Sequence, residues 1–537
     1  MDEGSVVAEE AYAESLREPL DKTKRIGQVD IVVGITFRNE ADTIGHVCRT
    51  VAKGLAEFFP DRKCVIVCAG ADEGTDALRA VTGLRLRQGT KVIAFLMKNK
   101  RVSGKVWTLR AVMEIADSLN SDLAVFEADL KTRELKAETE GLTPEWVRRL
   151  LIPIHKEGMD LVIPKFNRHY LDAPASAHLV CPLLSSVFNL RVGGIPGGIL
   201  GISSKLLKIY MADASIWSDK VSEHGIDSLL ITAAIVDEAK ICESSLGVRI
   251  DETGPEEETA WGQQARVIFE QVSALKDWWR QKGEVVYPLV MFGAGKDHLP
   301  GAVALDPIAL IKRYKRGFNE FQGLYRGILS REAAIELRKM AGTDSADFGF
   351  SVNLWAEIVH DFLISYCLEQ EFTKENILKA FVPICYGREA GFALELGILK
   401  ERLMASVPDE AERLASLVAE WQLRQQTEEF IRRRPGFLAR YLEKEKALEP
   451  ILPMVTYRQF IPGVPLVVPK AFTTPAGETV RSDGIYESIL GRYREEFQDF
   501  VRDTLKISPE LASAELAQAL KELMLDVENS VNELLLT

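Results

Sequence analysis

A run of apolar residues that ends in two carboxylates, "LAVFEADL" at 123–130, is where residue types in this chain first imply chemistry. Leu123 to Phe126 read as a buried strand, and buried strands avoid acids, yet Glu127 and Asp129 follow with only Ala128 between them. Neighbouring carboxylates at a strand end can hold a hard divalent cation such as Mg²⁺ or Mn²⁺, which in turn neutralises a diphosphate leaving group. Other stretches supply complementary groups. "ITFRNEADTIG" (35–45) ends a strand and sets Asn39 and Glu40 before a helix, a start suited to a nucleotide base and ribose. "SGKVWTLRAV" sets Gly104 and Lys105 at a helix start, and a helix N-terminus with a lysine suits phosphate. Arg168 and His169 follow another strand, a pair of donors fitted to an anionic acceptor. Asp227 sits at a helix start in "HGIDSLLI", three residues after His224.

The elements that must position these groups are legible as patterns. Strands are expected at 29–37, 63–70, 91–97, 123–130, 160–166 and 241–248, each a continuous Val- and Ile-rich run, with amphipathic helices between them. Continuous runs joined by helices indicate a mostly parallel sheet covered on both faces, whose ligands gather at the carboxyl ends of the strands. Glu127 and Asp129 fall on that edge. Beyond about residue 290 helical patterns dominate, at 305–341, 352–370, 373–404 and 408–448. A proline-bearing connection over 449–482 and two helices near 485–504 and 511–535 close the chain. The expected division is a tail over 1–26, a sheet domain over 27–285, a helical domain over 286–448, and 449–537.

Composition narrows the function classes. With 537 residues, 47% hydrophobic, 27% charged and a net charge of -13, the chain is an ordinary globular one without a nucleic-acid footprint. Its Arg432–Arg434 cluster reads as a solvated helix face. No apolar run approaches the roughly 18 residues of a membrane span. The acidic N-terminus is no secretory signal, and seven cysteines without a CxxC pair fit a reduced cytoplasm. "GGIPGGILG" (193–201) lacks the strand context of a dinucleotide fingerprint. "FGAGKDH" (292–298) lacks the hydroxyl of a P-loop, although its His298 is a further candidate for the cleft. Trp278 and Trp279 are expected to pack between the two halves.

Taken in order, these pieces resemble the GT-A nucleotide-sugar glycosyltransferases of the family-2 type, most of all the glucosyl-3-phosphoglycerate and mannosylglycerate synthases. The likeness is carried by "RNEADTIG", "AGADEGT", "GKVWTL", Glu127-Ala128-Asp129, "KFNRH", "VCPLLSSVFNLRVGGIPGGILGISSKLL", "HGIDSLLI" and "SLGVRID", and spans roughly residues 27–260. The resemblance implies a GT-A-like, mostly parallel sheet with flanking helices, followed by a largely helical C-terminal extension. It implies metal-dependent hexosyl transfer from a nucleoside diphosphate sugar to a small acceptor of the glycerate or 3-phosphoglycerate type, with retention. Glu40, Lys105 and Glu127 would then bind the donor, Asp129 and Asp251 the metal, and Arg168 and His169 the acceptor, with Asp227 facing the reacting sugar. Asp251 stands where the family has a histidine, Cys68 where it has an acid at the base edge, and Ile199 where it has a glutamate. A sugar-1-phosphate nucleotidyltransferase and a non-catalytic sugar-nucleotide scaffold are the rivals. The first is disfavoured by the acidic, Gly-poor loop after the first strand. The helical half has patterns compatible with a homodimer interface.

Overall fold

The structure is a computed structural model. It describes residues 3–86, 90–135, 139–217, 225–251, 259–283, 286–293, 303, 305–368, 372–448 and the two-residue strands 472–473 and 479–480. His224, His298 and the rest of the expected connection and helices beyond 448 lie outside the described residues. Residues 1–448 form one compact unit and 449–537 another.

An eight-stranded sheet organises the first unit. Its strands are β1 Ile31–Phe37, β2 Cys64–Gly70, β3 Lys91–Leu96, β4 Asp122–Glu127, β5 Leu161–Asn167, β6 Leu200–Ile202, β7 Ile241–Val248 and β8 Val290–Phe292. They lie in the order β8-β7-β5-β6-β4-β1-β2-β3. Every pairing is parallel except those of β6, which runs antiparallel to both β4 and β5. β1 is buried along its whole length, as an apolar run covered on both faces must be. The register brings the strand ends level, with Thr36 opposite Glu127, Phe37 opposite Gly70 and Gly70 opposite Leu96. The acids of β4 therefore share an edge with the loop that carries Glu40.

The helix Lys105–Ser118 packs directly on β1. A Cβ added to Gly34 would lie 2.1 Å from Val112 Cγ1, so glycine permits the close approach that sets the height of Lys105 above the sheet. Within the segment 1–26, residues Glu3–Ile26 form a helix whose Ala8, Tyr12 and Leu16 recur every four residues and join the core. Tyr12 Oη donates to Glu114 Oε2 (2.9 Å), and the Arg110 guanidinium, paired with Glu9 (2.6 Å), lies 4.3 Å over the Tyr12 ring.

The helical half begins with Pro307–Glu320, Gln322–Ile328 and Arg331–Gly342 in place of one expected helix. Ser330 caps the third, its Oγ accepting from Ala333 N (3.2 Å). Val352–Leu368, Lys374–Ser406 and Ala411–Leu448 follow. The expected division at 285/286 is crossed by one continuous buried core. Trp279 packs its ring against Phe437 and Tyr441, both at 5.5 Å. Arg434 corrects the solvated-face reading. It is 5% exposed and donates to the carbonyls of Trp279 (3.0 Å) and Gly283 (2.8 Å), closing the end of the helix Lys276–Gln281. A π-helical turn, Ser176–Val180, is gripped from three helices of the extension. Trp355 Nε1 donates to His178 O (2.7 Å), and Gln426 Nε2 donates to Ala177 O (3.1 Å). Gln426 Oε1 meets His178 Nδ1 (3.0 Å) and accepts from Arg388 Nε (3.1 Å).

Candidate active site

Where β1 and β4 end, a cleft of about 160 Å³ opens, lined by Arg38, Glu40, Ser103, Lys105, Glu127 and Asp129 among others. Four of the eight residues singled out in the sequence thus line one space. Glu40 is held by its own turn, its Oε2 accepting from Arg38 N (2.6 Å). Lys105 opens its helix and places Nζ 2.8 Å from Glu127 Oε1.

The other oxygen of Glu127 is taken by a residue the sequence reading passed over. Arg249, just past the end of β7, donates from Nη2 to Glu127 Oε2 (2.5 Å), from Nε to Asp251 Oδ2 (2.5 Å) and from Nη1 to Gly197 O (2.7 Å). Its side chain is 10% exposed, and each guanidinium nitrogen has its own acceptor. The only signal for it in the sequence was its place at a strand end, in "SLGVRID".

Gly197 and Gly198 were also missed as site residues. They have φ of +63° and +85°, and a Cβ on Gly198 would stand 2.3 Å from Glu127 Oε1. Only glycine lets the main chain pass so close in that conformation. The loop is tied down on both sides. Gly193 N–H donates to Glu243 Oε1 (2.5 Å), and Gly198 N–H donates to Asp227 Oδ2 (3.0 Å) and Oδ1 (3.2 Å). Because β6 is antiparallel, with Leu200 opposite Val125, this loop arrives at the carboxyl end of β4.

The charges are strongly coupled. Burial alone would raise the Glu127 carboxyl, but Lys105 and Arg249 outweigh it and hold it at about 2. Burial would likewise lower Lys105, and the charges of Glu127 and Asp227 more than reverse this, so the ammonium stays protonated. Asp129, 7% exposed, is pushed up to about 7, first by burial and then by Glu127, with Asp251 and Glu40 adding and Arg249 opposing. Burial also raises Asp227, against the pull of Lys105.

The expected acceptor pair divides. Arg168 stays near the cleft. Its guanidinium lies 5.7 Å from the Phe166 ring, Arg249's lies 5.9 Å from the same ring, and its Nη1 meets Asp172 Oδ2 at 3.1 Å. His169 turns away. It is 6% exposed, accepts at Nδ1 from Leu171 N (3.2 Å) and places Nε2 3.4 Å from Glu412 on the last long helix. Burial lowers its pKa. Among the described residues no three His, Cys, Asp or Glu side chains converge as a metal centre, and no helix is long and apolar enough to cross a membrane.

No family model matches the chain, and no curated protein matches it either. Solved structures do. The chain is similar to glucosyl-3-phosphoglycerate synthase from Mycobacterium tuberculosis in complex with Mn²⁺, uridine diphosphate and phosphoglyceric acid. That match has 19% identity and a TM-score of 0.33, over 48% of this chain and 81% of that one. The same enzyme with Mn²⁺, UDP-glucose and glycerol 3-phosphate matches at 20% identity and TM-score 0.32, over 48% and 83%. A further mycobacterial protein matches at 19% and 0.30, over 47% and 76%.

Proposed function

We propose that this protein is a glycosyltransferase that moves a hexose from a nucleoside diphosphate sugar to a small anionic acceptor, with retention and with a divalent cation. The observation that carries the reading is the cleft itself. A lysine at a helix start, a strand-end Glu-x-Asp and the Glu40 turn meet at the carboxyl edge of a mostly parallel sheet. Lys105 offers the donor's diphosphate a fixed positive charge, and the Glu40 turn faces the side suited to base and ribose.

A divalent cation fits Asp129. Its carboxyl is buried beside like charges, so a cation there relieves a repulsion. Mg²⁺ is commonly held by one or two carboxylates plus substrate phosphates, which accords with the lack of a three-residue centre among the described residues. When bound, the cation supplies charge neutralisation to the departing diphosphate. Glu127 is occupied by two cationic side chains and Asp227 by the Gly198 N–H, which supports a same-face displacement without a covalent sugar intermediate. Arg168 beside Phe166 is the group fitted to the acceptor's carboxylate or phosphate, since a guanidinium forks onto such anions.

The test is release of nucleoside diphosphate from UDP- and GDP-hexoses with Mn²⁺, in the presence of glycerate, 3-phosphoglycerate or neutral alcohols. Acceptor-dependent release with an anion supports the reading. Release with neutral acceptors alone removes the anionic acceptor, and absence of release with every pair overturns the transferase.

A further inference from the structure

We infer that Asp251, which stands where a metal ligand is expected, serves Arg249 instead, so that the cation and the donor are held by different carboxylates. The inference rests on the reading of the cleft as a nucleoside diphosphate site.

Three observations carry it. The Asp251 carboxylate is engaged by Arg249 Nε at 2.5 Å, two residues away along the chain. Arg249 is fixed by one acceptor per nitrogen, of which Glu127 and the Gly197 carbonyl come from elements remote in sequence. The backbone that follows is itself anchored, since Lys131 N–H donates to Ile250 O (2.8 Å). A divalent ion taken up by Asp251 would have to compete with that ion pair inside a cleft where Arg249 is 10% exposed. Asp129 is buried beside Glu127, Asp251 and Glu40, whose charges oppose its own by more than Arg249 offsets, so a cation there relieves a repulsion.

Asp251 is thus a positioning residue. It turns the guanidinium of Arg249 so that Nη2 meets Glu127 and Nη1 meets the Gly197 turn. The carboxylate through which Lys105 is oriented is thereby held from both sides. Loss of Asp251 frees one edge of Arg249 and loosens the donor's diphosphate end without emptying the cation site.

The experiment measures Mn²⁺ binding by the electron paramagnetic resonance signal of free Mn²⁺, and UDP or GDP binding by calorimetry, on the full chain. Asp129→Asn is expected to lose bound Mn²⁺. Asp251→Ala is expected to keep Mn²⁺ affinity within about twofold while weakening nucleotide by about tenfold, the scale of one charge-assisted hydrogen bond. Arg249→Gln should weaken nucleotide by a similar factor, and the double variant should weaken it no further, because residues acting as one unit are not additive. Asp251→His separates the alternatives even where Ala perturbs folding. It restores a metal-binding nitrogen but not the negative partner of Arg249, so it is expected to behave like Asp251→Ala. If Asp251→Ala loses Mn²⁺ and Asp251→His regains it, the inference falls alone. If wild type binds neither nucleotide, the functional reading falls and takes the inference with it.

Discussion

Two kinds of buried titratable side chain lead to different measurements. Asp129 belongs to the cleft, and Asp129→Asn removes one charge at nearly constant volume. The proposed transfer should drop below about one hundredth of wild type, as for loss of a group that stabilises developing charge, and excess chelator should silence wild type in the same assay. His178 and His360 belong to the core. Burial, aided by Arg388 for His178 and by Arg440 and Arg433 for His360, depresses each to about 3. Among the described residues neither ring nitrogen of His360 has a hydrogen-bond partner, and the ring packs against Phe437 at 4.8 Å and Phe430 at 5.5 Å. The unfolded chain takes up these protons near pH 6.5 and the folded one does not, so stability declines as pH falls through that value. Each histidine contributes up to about 1.4 kcal/mol per pH unit. Their contribution to the urea midpoint should therefore decline between pH 7.5 and 5.5, and in His360→Leu the midpoint should fall less over that range than in wild type. The same pH dependence in His360→Leu as in wild type would show that this ring is not buried neutral.

At the scale of the element, the Gly197–Gly198 turn concentrates the site's dependence on main chain. Gly198→Ala meets a left-handed φ, worth about 1–2 kcal/mol, and drives a methyl group into Glu127. Its urea midpoint should fall modestly while nucleotide affinity falls far more. Equal loss in both would mean that the turn is merely structural. The six long strands could be read from sequence because each is a continuous apolar run. β6 and β8 could not, because three residues carry no periodicity, and β6 reverses direction where every neighbour pattern says parallel. Arg249 escaped for the same reason. It became a site residue only once β7 and the β6 loop were brought to one edge, a meeting that spacing along the chain does not encode. His169 parts from its neighbour Arg168, which lies beside Phe166, because successive residues in an irregular segment need not share a direction.

At the scale of the whole molecule, the extension is part of the first unit's interior. Trp355 is fully buried and its indole N–H is spent on His178 O, so the helical half holds the turn next to the candidate acceptor side. A chain ended at residue 285 exposes the faces that Phe437, Tyr441 and Trp355 cover. It should lack a cooperative urea transition, whereas a chain ended at 448 should retain one. A sharp transition in the shorter chain would make the halves independent. The reversed strand β6 has a consequence for vectorial synthesis. On the ribosome β4 and β5 are made first, yet neither pairs with the other, and the slot between them stays open until Leu200–Ile202 emerges. Two sheet edges are therefore bare while some three dozen further residues are translated, a window in which strand edges recruit wrong partners. A pause once Leu200–Ile202 has cleared the exit tunnel would let the slot close, and one before it clears would prolong the exposure. Synonymous codon choice around this point should change the yield of folded protein without altering a single side chain.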